Sequence, residues 1–184
     1  VTVDGTDVRA FPLRTLRGGI GLGPQGSLLF SGTIAENLRW GNEDASPEEI
    51  VKAAAIAGAN DFVMRFPEGY ETRISQGGTS VSGGQRQRLC IARALISRPK
   101  ILILDDSLSA VDNATESSIL DAFSRELKDT TVILVSQRFS SVRNADRIVV
   151  LDRGRVESVG THDELLAGSE VYRELYETQR RTME

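Results

Sequence analysis

Three short apolar runs mark the second half of the chain: Ile101–Leu104, Val132–Val135 and Ile148–Leu151. All three are rich in branched residues and contain no polar position. Such runs are typical of strands that are buried on both faces, as in a parallel sheet. A helical pattern over Thr115–Leu127 separates the first two runs. This β-α-β order predicts an α/β fold with a mostly parallel sheet.

Helix ends are marked by polar residues, glycine and proline. Ser46-Pro47-Glu48-Glu49 places a hydroxyl at the cap and glutamate at the third position, which predicts a helix to about Ala57. Thr161-His162-Asp163-Glu164 predicts a second capped helix start. Further elements are predicted as helices over Gln85–Ser97 and Glu170–Arg180, short strands over Val1–Val3 and Ile20–Leu22, and a glycine-rich loop over Gly77–Gly84.

These elements suggest three parts. Residues 1–34 are predicted to form part of a sheet-based core, residues 35–97 an all-helical subdomain inserted into it, and residues 98–184 the rest of the core. Phe62, Phe66 and Tyr70 are expected to pack inside the helical subdomain, although contact with a membrane domain is the alternative interpretation.

Composition limits the function classes. With 184 residues, 40% hydrophobic and 26% charged, the chain is ordinary for a globular domain with its own core. A net charge of −4 argues against nucleic acid as a partner. The single cysteine, Cys90, excludes an intrachain disulfide and fits a reducing compartment. The apolar runs are too short to span a bilayer and Val1–Gly5 does not start a signal peptide, so we expect any membrane-spanning part on another segment or chain.

The first candidate site is Val81-Ser82-Gly83-Gly84-Gln85 at the start of the predicted long helix. Glycines leave backbone N–H groups open to close approach, and a helix N-terminus carries partial positive charge. A phosphate would suit such a position. A capped helix with a flexible loop before it explains the same five residues, so both interpretations stay open at this point.

The second candidate site ends the strand predicted after Lys100. Ile101–Leu104 leads directly into Asp105 and Asp106. At the carboxyl end of a buried strand, the first carboxylate is placed to hold Mg²⁺ through water while the next faces a nucleotide. A strand that runs into an aspartate-rich turn is the alternative.

Together, the two sites resemble the ABC ATPase family. Ser82–Gln85 is similar to its signature motif, Ile101–Asp105 to its Walker B strand, Ser107–Asp112 to its D-loop and Gln25 to its Q-loop glutamine. The similarity extends to Gly160–Leu166, so it covers essentially the whole chain. It implies a P-loop NTPase-like core with an inserted helical signature subdomain, and ATP and Mg²⁺ as cofactors.

The resemblance also implies roles for particular residues. Gln25 and Asp105 are expected to hold the metal, and Asp106 and Gln137 to act in catalysis. ATP contacts are expected from Gln25, Asp112 and the signature residues Ser82, Gly83, Gly84 and Gln85.

The exporter subtype is indicated by Phe30–Leu38, which is similar to the segment of exporter ATPase domains that docks on coupling helices of the membrane domain. The implied location is the cytoplasmic face of a membrane, as part of a transporter. The implied partners are that membrane domain and a second nucleotide-binding domain.

One departure from the family pattern is an absence. No G-x-x-x-x-G-K-(S/T) motif occurs in the 184 residues. In the family this Walker A loop precedes the region that Val1–Gly5 resembles, so the chain is expected to begin after it and to lack the strand that leads into it. Without that backbone cradle and its lysine, the chain by itself is expected to be inactive.

Two further departures are substitutions. Asp106 stands where the family has the glutamate that polarises the attacking water, and Gln137 stands where it has the switch histidine. Glutamine still hydrogen-bonds a phosphate but does not titrate near neutral pH. The sequence therefore resembles the degenerate subunit of an asymmetric exporter, whose intact signature completes the ATP site of its partner in a heterodimer. A non-hydrolysing regulatory half and an inactive fragment are the alternatives.

Several residues have simpler explanations. Arg86, Arg88 and Arg93 are expected to form salt bridges on a solvated face rather than a basic patch. Cys90 is expected to be a small buried side chain rather than a reactive thiol. His162 is expected to serve as a helix-start residue.

Overall fold

The computed structural model describes residues 1–78 and 80–183, with side chains as far as residue 181. Thr79, inside the loop predicted over Gly77–Gly84, lies outside the described residues. The strands are β1 (Thr2–Val3), β2 (Thr6–Asp7), β3 (Ile20–Gly23), β4 (Gly32–Thr33), β5 (Arg73–Ile74), β6 (Ile101–Asp105), β7 (Thr131–Val135), β8 (Ile148–Asp152) and β9 (Arg155–Gly160). The helices are α1 (Leu13–Gly18), α2 (Ile34–Arg39), α3 (Pro47–Ile56), α4 (Asn60–Val63), α5 (Gly83–Ile96), α6 (Asn113–Glu126), α7 (Phe139–Val142), α8 (His162–Gly168) and α9 (Glu170–Met183).

By internal packing the chain divides into two compact units, Val1–Val135 and Ser136–Glu184. In the described part of the chain, no helix is both long and apolar enough to cross a bilayer.

The first unit is built on a parallel sheet in the order β3-β6-β7. Leu102 of β6 lies between Gly21 of β3 and Val132 of β7, with helix α6 connecting β6 to β7. The prediction of an α/β fold with a parallel sheet is therefore confirmed. Gly21 permits close packing of α5 on the sheet, because a Cβ there would lie 2.7 Å from the carbonyl oxygen of Ala94.

The expectation of burial on both faces is wrong for β7. Val132, Ile133 and Val135 are 37%, 47% and 51% exposed. Within the described residues β7 pairs on one side only, with β6, so it lies at the sheet edge. Leu22 of β3, which is 56% exposed, lies in the same row of paired residues as Ile133. The apolar character of these strands therefore does not guarantee that both faces are covered.

One apolar core holds the first unit together. Helix α5 lies at its centre, between the sheet and helices α2 and α3. Its largest fully buried apolar side chains are Leu29, Ile34, Leu38, Val63, Leu89, Ile91, Leu102, Leu104 and Ile119. Burial of each leucine contributes roughly 1.5–3 kcal/mol to stability. This packing fixes the N-terminus of α5 relative to the carboxyl ends of the strands.

The middle of the chain is not wholly helical, which corrects the prediction for residues 35–97. Arg73–Ile74 forms β5 and pairs antiparallel with β4. The predicted caps are confirmed: Ser46 and Thr161 each form a reciprocal capping box with the glutamate three residues later. Gly58 follows α3 with φ of 63°, a conformation that glycine adopts without steric cost.

The second unit contains an antiparallel pair, β8 and β9, followed by α8 and α9. The parallel-sheet prediction is therefore wrong for Ile148–Leu151. Ile148 and Val150 are buried, whereas Val149 and Leu151 are 54% and 69% exposed. Alternate burial is what a hairpin with one covered face produces. His162 begins α8 as expected, and its Nδ1 lies 2.8 Å from the Tyr172 hydroxyl in a small aromatic cluster.

Candidate nucleotide-binding site

The signature segment forms a capped helix start. α5 begins at Gly83, two residues before the predicted start, because the Ser82 hydroxyl accepts a hydrogen bond from the Gln85 N–H at 3.2 Å. The Gln85 side chain in turn accepts from the Ser82 N–H at 2.9 Å. Ser82 is exposed, and no acidic residue occupies the first turn of α5. No carboxylate of α5 itself therefore offsets the partial positive charge of this helix start.

The signature segment lies directly against the D-loop, Ser107–Asp112. A Cβ on Gly84 would lie 2.7 Å from the carbonyl oxygen of Ala110, whereas a Cβ on Gly83 would lie 3.5 Å from the Ala110 Cβ. Only the second of these is an ordinary van der Waals distance. Gly84 is therefore required by close backbone packing, quite apart from any contact with a ligand.

An open cleft of about 300 Å³ lies at this contact. Its lining residues are Ser82, Gly83, Gly84, Arg88, Ala110, Val111 and Asp112. Four predicted ATP-contacting residues, namely Ser82, Gly83, Gly84 and Asp112, are thus brought together. The Gln85 side chain is instead directed at the cap, so its predicted ATP contact stays a prediction.

The charges of the cleft have identifiable causes. Asp112 caps α6, accepting hydrogen bonds from the Thr115 N–H at 2.9 Å and the Thr115 hydroxyl at 2.8 Å, which lower the pKa of its carboxyl. Burial lowers the pKa of Arg88, and the charges of Asp112 and Asp61 oppose that effect. The Arg88 guanidinium donates to the Gly58 carbonyl at 2.7 Å and lies over the Phe62 ring.

Arginine contacts differ from the sequence expectation. Arg86 donates to the Gly77 and Gly78 carbonyls, and Arg93 donates to the Leu28 carbonyl at 3.0 Å. Their guanidiniums, like that of Arg88, are partly buried and anchor loops through backbone oxygens. The salt-bridge expectation for this helix face is therefore replaced by loop anchoring, because neighbouring chain segments cover the face.

A second group lies at the carboxyl edge of the parallel sheet. Gly23 pairs with Leu104, so Gln25, two residues after β3, and Asp105, the last residue of β6, lie at the same edge of the sheet. Their side chains are exposed. The Ser107 hydroxyl joins the two strand ends by donating to the Gly23 carbonyl at 2.5 Å. The sequence does not single out Ser107 by itself, since its role depends on a strand more than eighty residues away.

Asp106 adopts a strained conformation at this edge. Its φ is 49°, in the left-handed region that aspartate tolerates better than most residues. Its N–H donates to the Val135 carbonyl at 2.9 Å, which fixes the backbone at the end of β6. The catalytic role assigned to Asp106 stays a prediction.

The donors present fit Mg²⁺ held mainly by a nucleotide. The described residues contain no group of three or more histidine, cysteine, aspartate or glutamate side chains placed to bind a metal. Mg²⁺ in nucleotide sites takes one or two protein oxygen ligands and completes its shell with phosphates and water. The exposed Asp105 carboxylate and Gln25 amide oxygen match that small donor set.

Gln137 belongs to the second unit. Its carbonyl accepts a hydrogen bond from the Gln179 side chain, while its own side chain is exposed. Nearby, the Arg138 N–H donates to the Ser136 hydroxyl at 3.0 Å. The catalytic role assigned to Gln137 stays a prediction.

One site residue was missed entirely. Gln87 is 5% exposed, and its amide contacts the D-loop at both ends. Nothing in its sequence context indicates this, because a glutamine between two arginines in a helix usually faces solvent. Cys90, on the same helix, is buried as expected, and burial raises the pKa of its thiol.

Comparisons with known proteins agree with this geometry. A family model described as ABC transporter matches residues 1–109. YgaD of Bacillus subtilis (strain 168), whose provisional name describes a multidrug export ATP-binding/permease protein, is 45% identical over 177 residues, covering 96% of this chain and 30% of YgaD. YknU of the same organism, named as an ABC transporter ATP-binding protein, is 44% identical over 181 residues, covering 98% of this chain and 31% of YknU.

A solved structure of a bacterial Atm1-family ABC exporter with ATP bound superposes with a TM-score of 0.93 at 38% identity, covering 97% of this chain and 31% of the exporter chain. The chain thus spans about a third of the length of the proteins that it matches. The α/β fold with its parallel sheet agrees with the structural match. The chain belongs to the ABC transporter family and has the fold of the nucleotide-binding domain of an ABC exporter.

Proposed function

We propose that this chain is part of an exporter subunit that couples ATP binding and hydrolysis, in a dimer of nucleotide-binding domains, to transport across a membrane. The observation that carries the proposal is the open cleft between the start of α5 and the D-loop. Ser82, Gly83 and Gly84 line this cleft together with Arg88 and Asp112, and the first turn of α5 contains no acidic residue. A second subunit could present the phosphates of its bound ATP there.

In this arrangement the signature motif serves the ATP held by the partner. Ser82 and the glycines after it would bind the phosphates, and the cap formed by Gln85 keeps the first turn of α5 in place. Asp112, whose carboxyl pKa is lowered by its hydrogen bonds to Thr115, would lie at the subunit contact.

The ATP site of this subunit itself would be formed at the sheet edge. Gln25 and Asp105 would hold Mg²⁺, which supplies charge neutralisation for the phosphates when bound. Asp106 would orient the attacking water, and we retain a proposed role in catalysis for Gln137 of the second unit. Asp106 is one methylene shorter than glutamate, and a displacement of about 1 Å costs on the order of 10²-fold in rate. We therefore propose a degenerate site that binds ATP and hydrolyses it slowly, and a heterodimer in which the partner holds the active site.

Docking of a membrane domain is supported by a separate groove of about 330 Å³. The Phe30 and Trp40 rings stack at its rim with centroids 4.5 Å apart, and Trp40 is 67% exposed. Exposed aromatic side chains at a groove are typical of protein contacts. A coupling helix of the membrane domain would fit this position, and the chain would then lie at the cytoplasmic face of the membrane.

A second candidate function is a regulatory half that binds ATP without hydrolysing it and gates its partner. Asp106 and Gln137 favour it, because both replace groups that the family uses in hydrolysis. The two candidate functions differ in whether the ATP site of this subunit hydrolyses ATP at all.

The test uses the intact subunit in a membrane, alone and assembled with its partner subunit. We expect the subunit alone to hydrolyse ATP very slowly and the assembly to be active. Ser82→Ala in this subunit should reduce the assembly's activity by at least about 10²-fold, the usual cost of removing a group that stabilises the transition state. Gln137→Ala should leave most of the ATPase activity of the assembly. Equal losses from the two substitutions would show that the assigned asymmetry is wrong.

A further inference from the structure

The amide of Gln87 lies buried between α5 and the loop that follows Asp105. We propose that Gln87 is a positioning residue that couples the two ATP sites of the dimer: it transmits a shift of the D-loop at this subunit's site to the signature motif that acts on the partner's ATP. The inference rests on the proposed function and adds a named residue and a direction of coupling to it.

Both the oxygen and the nitrogen of the Gln87 side-chain amide form hydrogen bonds. The Gln87 Oε1 accepts a hydrogen bond from the Ala110 N–H at 2.8 Å. Its Nε2 donates to the Ser109 hydroxyl oxygen at 3.0 Å and, at a longer 3.4 Å, to the Asp106 carbonyl. All three partners lie in the segment from Asp106 to Ala110. Because the amide is 5% exposed, water cannot readily replace these bonds when they are lost.

Steric contact limits movement of the D-loop toward α5. Gly84 lies one turn before Gln87 on the same face of α5, and a Cβ added there would lie 2.7 Å from the Ala110 carbonyl oxygen. The loop is therefore held from moving away from the helix by Gln87 and from moving closer by Gly84. A shift of the loop is therefore passed to the first turn of α5, Gly83–Arg86, which is only partly buried, whereas most of the helix from Gln87 onward is held in the core.

The start of the loop, at Asp106 and Ser107, is hydrogen-bonded to strand ends beside the proposed ATP site of this subunit. The Asp106 N–H is bonded to the Val135 carbonyl, and the Ser107 hydroxyl to the Gly23 carbonyl. These bonds tie the start of the loop to the strand ends that carry Gln25 and Asp105. A change in Asp105 on binding of Mg-ATP therefore has a continuous path of bonded groups to the first turn of α5.

A double-mutant cycle tests the coupling in the intact transporter with its partner subunit. Gln87→Met fills the same space but makes none of the hydrogen bonds. We expect it to lower kcat about tenfold, the cost of a displacement of roughly half an ångström, with KM for ATP changed less than about twofold. Asp105→Ala should lower kcat in the wild type by disturbing the coupled site, and should add little further loss in the Gln87→Met background.

Two further variants separate coupling from general destabilisation. Gln87→Glu still accepts from the Ala110 N–H and can accept from the Ser109 hydroxyl, so it should recover part of the lost kcat. Tyr70→Phe removes a partly buried hydrogen bond to Asn60, 2.9 Å long, on the helical side of the unit. It should leave kcat per folded transporter unchanged.

Particular kcat values of these variants would contradict the coupling role of Gln87. The coupling role would be overturned if the double variant lost kcat by the product of the two single losses, from Gln87→Met and Asp105→Ala. It would also be overturned if Gln87→Met had the same kcat as Tyr70→Phe. If Ser82→Ala is inactive while the cycle is multiplicative, the coupling role fails and the proposed function stands. If Ser82→Ala is active, the proposed function itself fails.

Discussion

Gly84→Ala is the substitution whose effect the structure defines most closely. The added Cβ would lie 2.7 Å from the Ala110 carbonyl oxygen, and an ordinary contact needs 3.4 Å, so the D-loop and α5 must separate by about 0.7 Å. Gly83→Ala is a matched control one position earlier, because its Cβ would lie 3.5 Å from the Ala110 Cβ and needs no movement.

The two substitutions should differ in both stability and rate. Alanine gains up to about 1 kcal/mol over glycine in a helix, whereas forcing a packed contact apart costs roughly 1–3 kcal/mol. We therefore expect Gly84→Ala to lose up to about 2 kcal/mol and Gly83→Ala to lose nothing, or to gain. If 1 Å of displacement costs about 10²-fold in rate, 0.7 Å costs about 25-fold.

Thermal unfolding of the chain and ATPase assays of the intact assembly measure the two effects. A loss of 1 kcal/mol lowers Tm by roughly 2–4 °C in a chain of this size, so the difference between the two variants is measurable. Hydrogen exchange at the Ala110 amide should accelerate in Gly84→Ala alone, since separation stretches its bond to Gln87. If Gly84→Ala were as stable as Gly83→Ala, close packing of the signature helix on the D-loop would be refuted.

Three other predictions concern single groups. Asp106→Glu combined with Gln137→His should raise ATP hydrolysis by the intact subunit in the absence of its partner, by on the order of 10²-fold; no increase would contradict the degenerate-site proposal. Burial raises the pKa of Tyr70 to about 12, so its neutral form stabilises the fold below pH 10 and that contribution is lost as pH rises towards 12. In an ultraviolet titration, the ionisation near pH 12 should be present in the wild type and missing in Tyr70→Phe. Ionisation of Tyr70 near pH 10 would contradict the assignment. Burial also raises the pKa of the Cys90 thiol, so alkylation should be slow in the folded chain and fast in denaturant, and equal rates would contradict its burial.

Local signals in the sequence predicted local structure well. The caps at Ser46 and Thr161 were predicted because the groups that satisfy the first N–H groups of each helix lie within four residues. The parallel strands β6 and β7 were predicted because the helix between them leaves few other ways to pair. These features need no knowledge of distant segments.

Features set by distant segments were predicted poorly. The run Ile148–Leu151 has the same composition as β6, yet it pairs in an antiparallel hairpin, because a wholly apolar run does not specify its partner. The buried contacts of Gln87 depend on a loop about twenty residues later in the chain. The contact of Ser107 with Gly23 depends on a strand still farther away. Such residues become recognisable only when the fold places the segments side by side.

The central claim is that Ser82–Gln85 acts on ATP held by the other subunit. It is tested most directly by comparing two assemblies of the intact transporter: one with Ser82→Ala in this subunit, and one with the corresponding signature serine of the partner subunit replaced. The account predicts that ATP hydrolysis collapses in the first assembly and largely persists in the second, because the partner's signature serves the degenerate site. Equal loss in the two assemblies, or loss only in the second, would contradict it.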